Sequence, residues 1–321
     1  MIISKAPLRI SLFGGGTDLK HFYKKNGSKF VSLAIDKYVY SIINEPFENK
    51  YFLKYRKNEE VFNISEIKNE LLKEILLAVG IKDPIEISSF ADIPFGTGLG
   101  SSGAYIVSML KSLNNYQGSM DQKHKLAKLA SEIEVSHFDN DIVGLQDTYV
   151  SAFGGLKEYV IDKKGNVNVQ NLLSEDKVNK FTEKINIYFT NKTRKSSNQK
   201  SKLDEKQNQI NLNKVAKIAD QGVKALIDND EKKIGELMNE QWLLKLQRQP
   251  SLFHKNINKH LLTLKDKGAL GGKLIGAGGG GFILVFSNKN KIPVIDEYMN
   301  ANQFRKVKFK PDHNGTRSLI I

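Results

Sequence analysis

The sequence predicts an α+β fold. Strands and helices alternate without a strict βαβ rhythm, there is no internal repeat, and 321 residues suit one large domain or two medium ones. A chain of roughly 300 residues buries about 75% of its unfolded surface, so its core needs no disulfide or metal staple.

A first strand is expected at 2–12. Residues 30–44 (FVSLAIDKYVYSIIN) alternate and are rich in β-branched residues, which predicts one or two strands; 51–55 is a further short one. Residues 65–80 read as a helix capped by Ser65 and stopped by Gly80, with Ile67, Leu71, Leu72, Ile75 and Leu76 on one face. A strand over 84–90 runs into a glycine-rich stretch, and helices follow near 101–114, 121–138 and 144–152. After a strand at 156–162, the polar segment 163–170 reads as a turn and a hinge between halves. The second half is expected to hold a strand at 184–190 and helices near 209–228, 230–247 and 255–267. Strands at 273–276 and 281–287, a helix near 291–301 and a strand at 304–310 complete it.

The chain has no cysteine, which removes disulfides, thiolate zinc sites and cysteine nucleophiles and fits a reducing cytoplasm. Its six histidines (His21, His124, His137, His254, His260, His313) form no HExxH or HxH pair, so a histidine-built metal site is not expected. The opening residues lack the pattern of a signal peptide, and no run of about 18 apolar residues occurs, so no membrane partner is expected. The net charge of +14 admits a solvated lysine-rich surface, a site for anionic small molecules, or a nucleic-acid partner. No basic run is interleaved with aromatics, which argues against nucleic acid. The most basic stretch, 192–206, is polar apart from Leu203 and reads as a mobile loop.

Four segments carry chemistry. In 93–104 (IPFGTGLGSSGA), glycines 96, 98 and 100 permit positive φ and close approach of the backbone to a ligand. The helix that follows offers free N–H groups and a positive dipole end to phosphate, and Ser101 and Ser102 add hydroxyls. A Rossmann reading fails because a second helix follows, and Walker A fails because Ala104 follows Gly103. In 271–284 (GGKLIGAGGGGFIL), four successive glycines serve either a loop pressed on a ligand or tight packing of two backbones. In 5–18 (KAPLRISLFGGGTD), Arg9 is a candidate to neutralise a transferring phosphoryl group, or forms a surface ion pair. Asp18 is either an acceptor for sugar hydroxyls or the N-cap of a helix at 19–25. In 132–149, Asp139, Asp141 and Gly144 hint at an EF-hand, but Val143 and Val150 stand where ligands are needed, which excludes calcium. There Glu134 is a candidate magnesium ligand. Asp147 is either a base for a nucleophilic hydroxyl or a second N-cap.

These motifs, in this order and over almost the whole chain, resemble the GHMP kinases, which include galactokinase, homoserine kinase, mevalonate kinase and phosphomevalonate kinase. IPFGTGLGSSGA is close to the family's PxGxGLGSSAA, KLIGAGGGG matches its third motif, and the N-terminal stretch its first. FGGGTD (13–18), QWLLKLQ (241–247), GALGGKLIGAGGGGF (268–282) and TNKTRKSSN (190–198) resemble the sugar-1-kinase branch that holds heptose 7-phosphate kinases and the fucokinase domain. Galactokinases carry a Glu-His pair where Gly15 and Gly16 stand here.

The resemblance implies a two-lobed GHMP kinase fold, with an ATP-binding lobe over 1–165 and a ferredoxin-like lobe over 166–321. It implies ATP and Mg2+, and transfer to the anomeric hydroxyl of D-glycero-D-manno-heptose 7-phosphate, feeding GDP-heptose for surface polysaccharide. Asp147 matches the catalytic aspartate, and Arg9 would stabilise the transition state. Pro94, Gly96, Thr97, Gly98, Leu99, Gly100, Ser101 and Ser102 would wrap ATP, and Ser102 and Glu134 would hold the metal. Gly15, Gly16, Thr17, Asp18, Gly278 and Gly279 would face the sugar, and Arg194, Lys195 and Lys245 its phosphate. The alternatives are another sugar kinase such as a fucokinase, and a catalytically silent sugar-binding protein. A homodimer is left open.

Overall fold

A computed structural model of the chain describes residues 1–119, 122–138, 142–193, 201–276 and 279–321. Strand β1 (Ile2–Phe13) leads through helix α1 (Lys20–Asn26) to β2 (Ser28–Asn44), a single 17-residue strand. The hairpin β3 (Tyr51–Lys54) and β4 (Asn58–Val61) precedes α2 (Glu70–Val79) and β5 (Glu86–Ala91). Then come α3 (Ser101–Tyr116), α4 (Lys123–His137), α5 (Gln146–Phe153), β6 (Leu156–Ile161), β7 (Val167–Asn171) and α6 (Glu175–Thr182). The chain goes on through β8 (Ile185–Phe189), α7 (Glu205–Ile227), α8 (Glu231–Arg248) and α9 (Leu252–Asp266). It closes with β9 (Ala269–Leu274), β10 (Phe282–Ser287), α10 (Ile292–Ala301), β11 (Arg305–Val307) and β12 (Arg317–Ile320).

The first sheet is organised by β2. It pairs with β1 along its length, with β6 over Ser28 to Leu33, and with β5 over Val39 to Asn44. The strand order is β12-β1-β2-β5-β3-β4, with β6 and β7 continuing from β2. Between Pro7 and Leu8 the partner on β2 jumps from Tyr38 to Ile35. Proline has no N–H for the ladder, so a bulge is where a sheet tolerates it, and the bulge re-aims the residues beyond, Arg9 among them. Eleven of the 16 residues of α3 are buried, because it lies between this sheet and helices α4 and α5. Small serines admit the close approach: Ser108 Oγ meets Ser41 Oγ at 2.7 Å, and Ser112 donates to the Ser41 carbonyl at 3.2 Å.

The second sheet is antiparallel with the order β11-β8-β10-β9. That is the ferredoxin-like βαββαβ order, with α7, α8 and α9 filling its first crossover.

Three expectations are corrected. The helix expected from Ser65 begins at Glu70, because the Asn69 side chain accepts from Leu72 N at 3.1 Å and caps it; such a cap is worth about 1 kcal/mol. Ser65 lies in a short 3-10 turn. The hinge expected at 163–170 is instead a hairpin: Asp162 Oδ1 accepts from Lys164 N and Asn166 N, Gly165 takes φ +92°, and β7 pairs with β6. The boundary expected at 165/166 falls within that hairpin, and β7 and β12 both belong to the first sheet.

The two lobes meet through glycine. A Cβ on Gly276 would lie 2.3 Å from the Cα of Gly98, and one on Gly281 2.0 Å from the carbonyl of Thr97. Both glycines have positive φ. The glycine run of 271–284 is thus used for backbone packing at these two positions. Gly281→Ala is expected to destabilise the fold by roughly 2–4 kcal/mol, combining φ strain with a clash against main chain. Gly118→Ala, which has positive φ but open space, should cost about 1 kcal/mol. Urea unfolding of the two variants checks the difference.

Candidate active site

Between the lobes lies a cavity of about 740 Å³, and the Arg9–Asp147 pair lines its floor. Arg9 follows the β1 bulge, and its N–H donates to the Leu99 carbonyl at 2.9 Å. Its Nε donates to Asp147 Oδ1 at 2.8 Å, Nη2 lies 2.6 Å from the same oxygen, and Nη1 donates to the Gly98 carbonyl at 2.5 Å. Asp147 sits in the first turn of α5, where the helix dipole favours negative charge. Arg9 is therefore not a surface ion pair, and Asp147 is not an N-cap, that position being Leu145.

In the 93–104 loop, Gly96, Gly98 and Gly100 have φ of 79°, 82° and 78°, so only glycine fits without strain. Gly96, Gly98, Gly100, Ser101 and Ser102 line the cavity, as does Phe95, which sequence reasoning missed. Three expected neighbours do not line it. Thr97 is buried with its hydroxyl on the Pro94 carbonyl at 3.0 Å, Leu99 is in the core, and Pro94 is exposed outside. They shape the loop.

Ser102 Oγ donates to Glu134 Oε1 at 2.6 Å. Glu134 is fully buried, and its Oε2 has no hydrogen-bond partner among the described residues. Burial, and after it the charge of Asp147, push its carboxyl up to about 8. A hydroxyl beside a buried carboxylate with one oxygen unmet suits a hard divalent cation such as Mg2+, which completes its shell with phosphate oxygens and water. No cluster of three or more metal-binding side chains exists among the described residues.

In the 13–18 loop, Gly14 makes a turn so tight that a Cβ would lie 2.2 Å from the Lys29 carbonyl. Gly15 and Gly16 line the cavity, but Thr17 does not. Its buried hydroxyl donates to the Gly14 carbonyl at 2.8 Å and meets Ser28 Oγ at 2.6 Å, so it ties the loop to β2 instead of touching a ligand. Asp18 reaches the cavity and is not the N-cap of α1, which is Leu19. It accepts from Gly16 N at 2.9 Å and Gln146 N at 3.1 Å, and burial raises its pKa.

Lys245 also lines the cavity, donating to the carbonyls of Leu274 and Gly276. Burial, and then the charges of Arg248 and Arg9, bring its pKa down to about 7. Gly279 and its neighbour Gly280 line the rim. Arg194, Lys195 and Gly278 lie outside the described residues, as do Asp139, Asp141 and the core of the expected mobile loop. Gln241, Arg248 and Lys273 line the cavity too and were missed. The signal for two of them was present: 241, 245 and 248 follow helical spacing along one face of α8.

Residues 64–155 match the GHMP kinases N terminal domain, and residues 223–305 match GHMP kinases C terminal. The chain belongs to the GHMP kinase family. It is thus a phosphotransferase of the kinase type. This GHMP kinase is 27% identical to a D-glycero-alpha-D-manno-heptose 7-phosphate kinase of Campylobacter jejuni, over 90% of each chain. It is 27% identical to a galactokinase of Thermosipho africanus, over 96% of this chain and 95% of that one. Its fold superposes on a D-glycero-D-manno-heptose 1-phosphate kinase from Bacteriodes thetaiotaomicron with a TM-score of 0.83, at 22% identity, covering 100% of this chain and 99% of the other. Among the described residues no helix is long and apolar enough to cross a membrane.

The Lys245 ammonium has a consequence for stability. The unfolded chain holds that proton to about 10.5, and the folded chain releases it near 7. Between these values unfolding takes up a proton, so the folded state gains stability as pH rises. Lys245→Met should flatten that slope between pH 7 and 10, as read from urea midpoints of the two proteins.

Proposed function

We propose that this GHMP kinase transfers the γ-phosphate of ATP to the anomeric hydroxyl of D-glycero-D-manno-heptose 7-phosphate, giving the 1,7-bisphosphate. One observation carries the reading. The Arg9–Asp147 pair lies in a single cavity that is lined also by the 93–104 glycine loop, the 13–18 loop and cations with no acidic partner among the described residues. Similarity to a named heptose 7-phosphate kinase along 90% of the chain supports the choice of sugar.

The glycine loop and the first turn of α3 receive the nucleotide phosphates on main-chain N–H groups. Ser102 and Glu134 would hold Mg2+, which supplies charge neutralisation on the phosphates. The acceptor sits against Gly15, Gly16 and Asp18. Asp147 takes the proton of the anomeric hydroxyl as its oxygen attacks the γ-phosphorus. The new O–P bond forms, the bond to the ADP oxygen breaks, and ADP leaves with that electron pair. An anomeric hydroxyl is more acidic than an ordinary alcohol, so a carboxylate suffices as base, and positioning with charge neutralisation does most of the work. Arg9 orients Asp147 and offsets charge on the transferring group.

Similarity to a galactokinase favours a second reading, a neutral sugar as acceptor. An ATP-consumption assay over heptose 7-phosphate, mannose 6-phosphate, fucose, galactose and mevalonate separates the two. Turnover is expected on heptose 7-phosphate, and Asp147→Ala should lower it by on the order of 10²- to 10⁴-fold. Turnover confined to galactose or fucose overturns the phosphorylated acceptor. Glu134→Gln should raise the Mg2+ concentration needed for binding a fluorescent ATP analogue by about 10-fold or more, read by titration without an acceptor.

A further inference from the structure

Helix α8 presents Gln241, Lys245 and Arg248 to the cavity, and Lys273 joins them from β9, which packs against α8. The positions i, i+4 and i+7 stack three side chains on one helical face. Among the described residues no acidic group offsets the burial of any of the three cations. Among the described residues the two amines are met by main-chain carbonyls alone: Lys245 on Leu274 and Gly276, and Lys273 on Leu12 at 2.5 Å. Arg248 has no described side-chain partner, and its guanidinium lies beside the acceptor loop: a Cβ on Gly16 would be 3.3 Å from Nη1. Gln241 is 7% exposed, and its Oε1 is without a hydrogen-bond partner.

Holding these groups in their charged forms, side by side and away from water, is unfavourable unless an anion completes the site. The nearby carboxylates are committed elsewhere: Asp147 to Arg9, and Asp18 to the N–H groups of Gly16 and Gln146. The nucleotide phosphates have their own wall in the 93–104 loop. Arg248 at Gly16 and Lys273 on the carbonyl of Leu12 stand toward the 13–18 loop, whereas Lys245 donates to the carbonyl of Gly276, which packs on Gly98 of the other loop.

We propose that Arg248 and Lys273, together with Lys245, form a built anion subsite that grips a phosphate-class group carried by the acceptor itself. This rests on the kinase reading above and deepens it, since it makes a charged acceptor the preferred class whichever sugar bears the charge. The guanidinium fork of Arg248 gives a bidentate hold that a lysine cannot copy.

Inorganic phosphate is the probe, added to the full chain already saturated with ADP and Mg2+ so that the nucleotide wall is occupied. Phosphate should raise the unfolding midpoint of the wild type, and Arg248→Met should lose that increment while binding ADP as before. The same variant without phosphate should be at least as stable as the wild type, because it removes a shielded charge that has no acidic partner among the described residues; a merely structural arginine would leave a less stable protein. With a phosphorylated acceptor, its KM should rise on the order of 10- to 100-fold, with kcat and the KM for ATP little changed. Arg248→Lys, which keeps the charge and loses the fork, should fold as the wild type does and fall between the two. An increment that survives in Arg248→Met, its absence in the wild type, or a KM for ATP that climbs in step overturns the subsite. A wild type that shows the increment yet phosphorylates no sugar phosphate of the panel keeps the subsite and refutes the heptose reading.

Discussion

A guanidinium withdrawn from water needs an anion close by, and Arg9 finds it in Asp147, 138 positions along the chain. Much of the first lobe serves that contact. The bulge at Pro7 sets the direction of Arg9, and the start of α5 delivers Asp147 to it. The glycines of the loop between them leave the room: a Cβ on Gly100 would press on Arg9 Cγ at 3.0 Å, and one on Gly103 on Asp147 Cβ at 2.7 Å. A motif that reads as a phosphate cradle is therefore also a demand of the ion pair beneath it.

The cavity is out of electrostatic balance around this pair. Burial raises the pKa of Asp18 and Glu134 and lowers that of Lys245, Arg248 and Lys273. Each shift marks a group whose charged form the free protein disfavours, because burial strips it of water. Groups kept in this state are characteristic of sites whose ligands bring the missing counter-charges, and they lower the stability of the unliganded fold. Among the described residues Glu134 forms no ion pair, and neither do Lys245 and Arg248 of α8.

Local pattern made most of the fold legible. β1, the length of β2, helices α3 to α5 and the long helices α7 and α8 follow from alternation, helical periodicity and glycine stops. What escaped was short or dependent on distant partners. β4 (NEEV) has no apolar alternation, and β12 exists because β1, some 300 residues earlier, offers it a free edge. Asn69 displaced Ser65 as a cap because the two compete within one turn and tertiary packing chooses the frame. In the site, Arg9, Asp147, Ser102 and Glu134 were readable as chemistry-bearing groups, since their residue types are unusual in their local settings. Thr17, Thr97 and Leu99 looked alike in sequence and turned out to brace the loops from behind.

By itself the sequence determined the α+β class, the three glycine-rich segments and the resemblance to GHMP kinases, because these rest on spacing within short stretches. The tertiary structure decided which glycines pack and which line the cavity, and that Asp18 joins two loops instead of capping a helix. It also decided that α8 and β9 bring Arg248 and Lys273 to the same wall as Lys245. Those outcomes depend on backbones approaching within van der Waals contact across hundreds of residues, and no local pattern encodes which surfaces will meet.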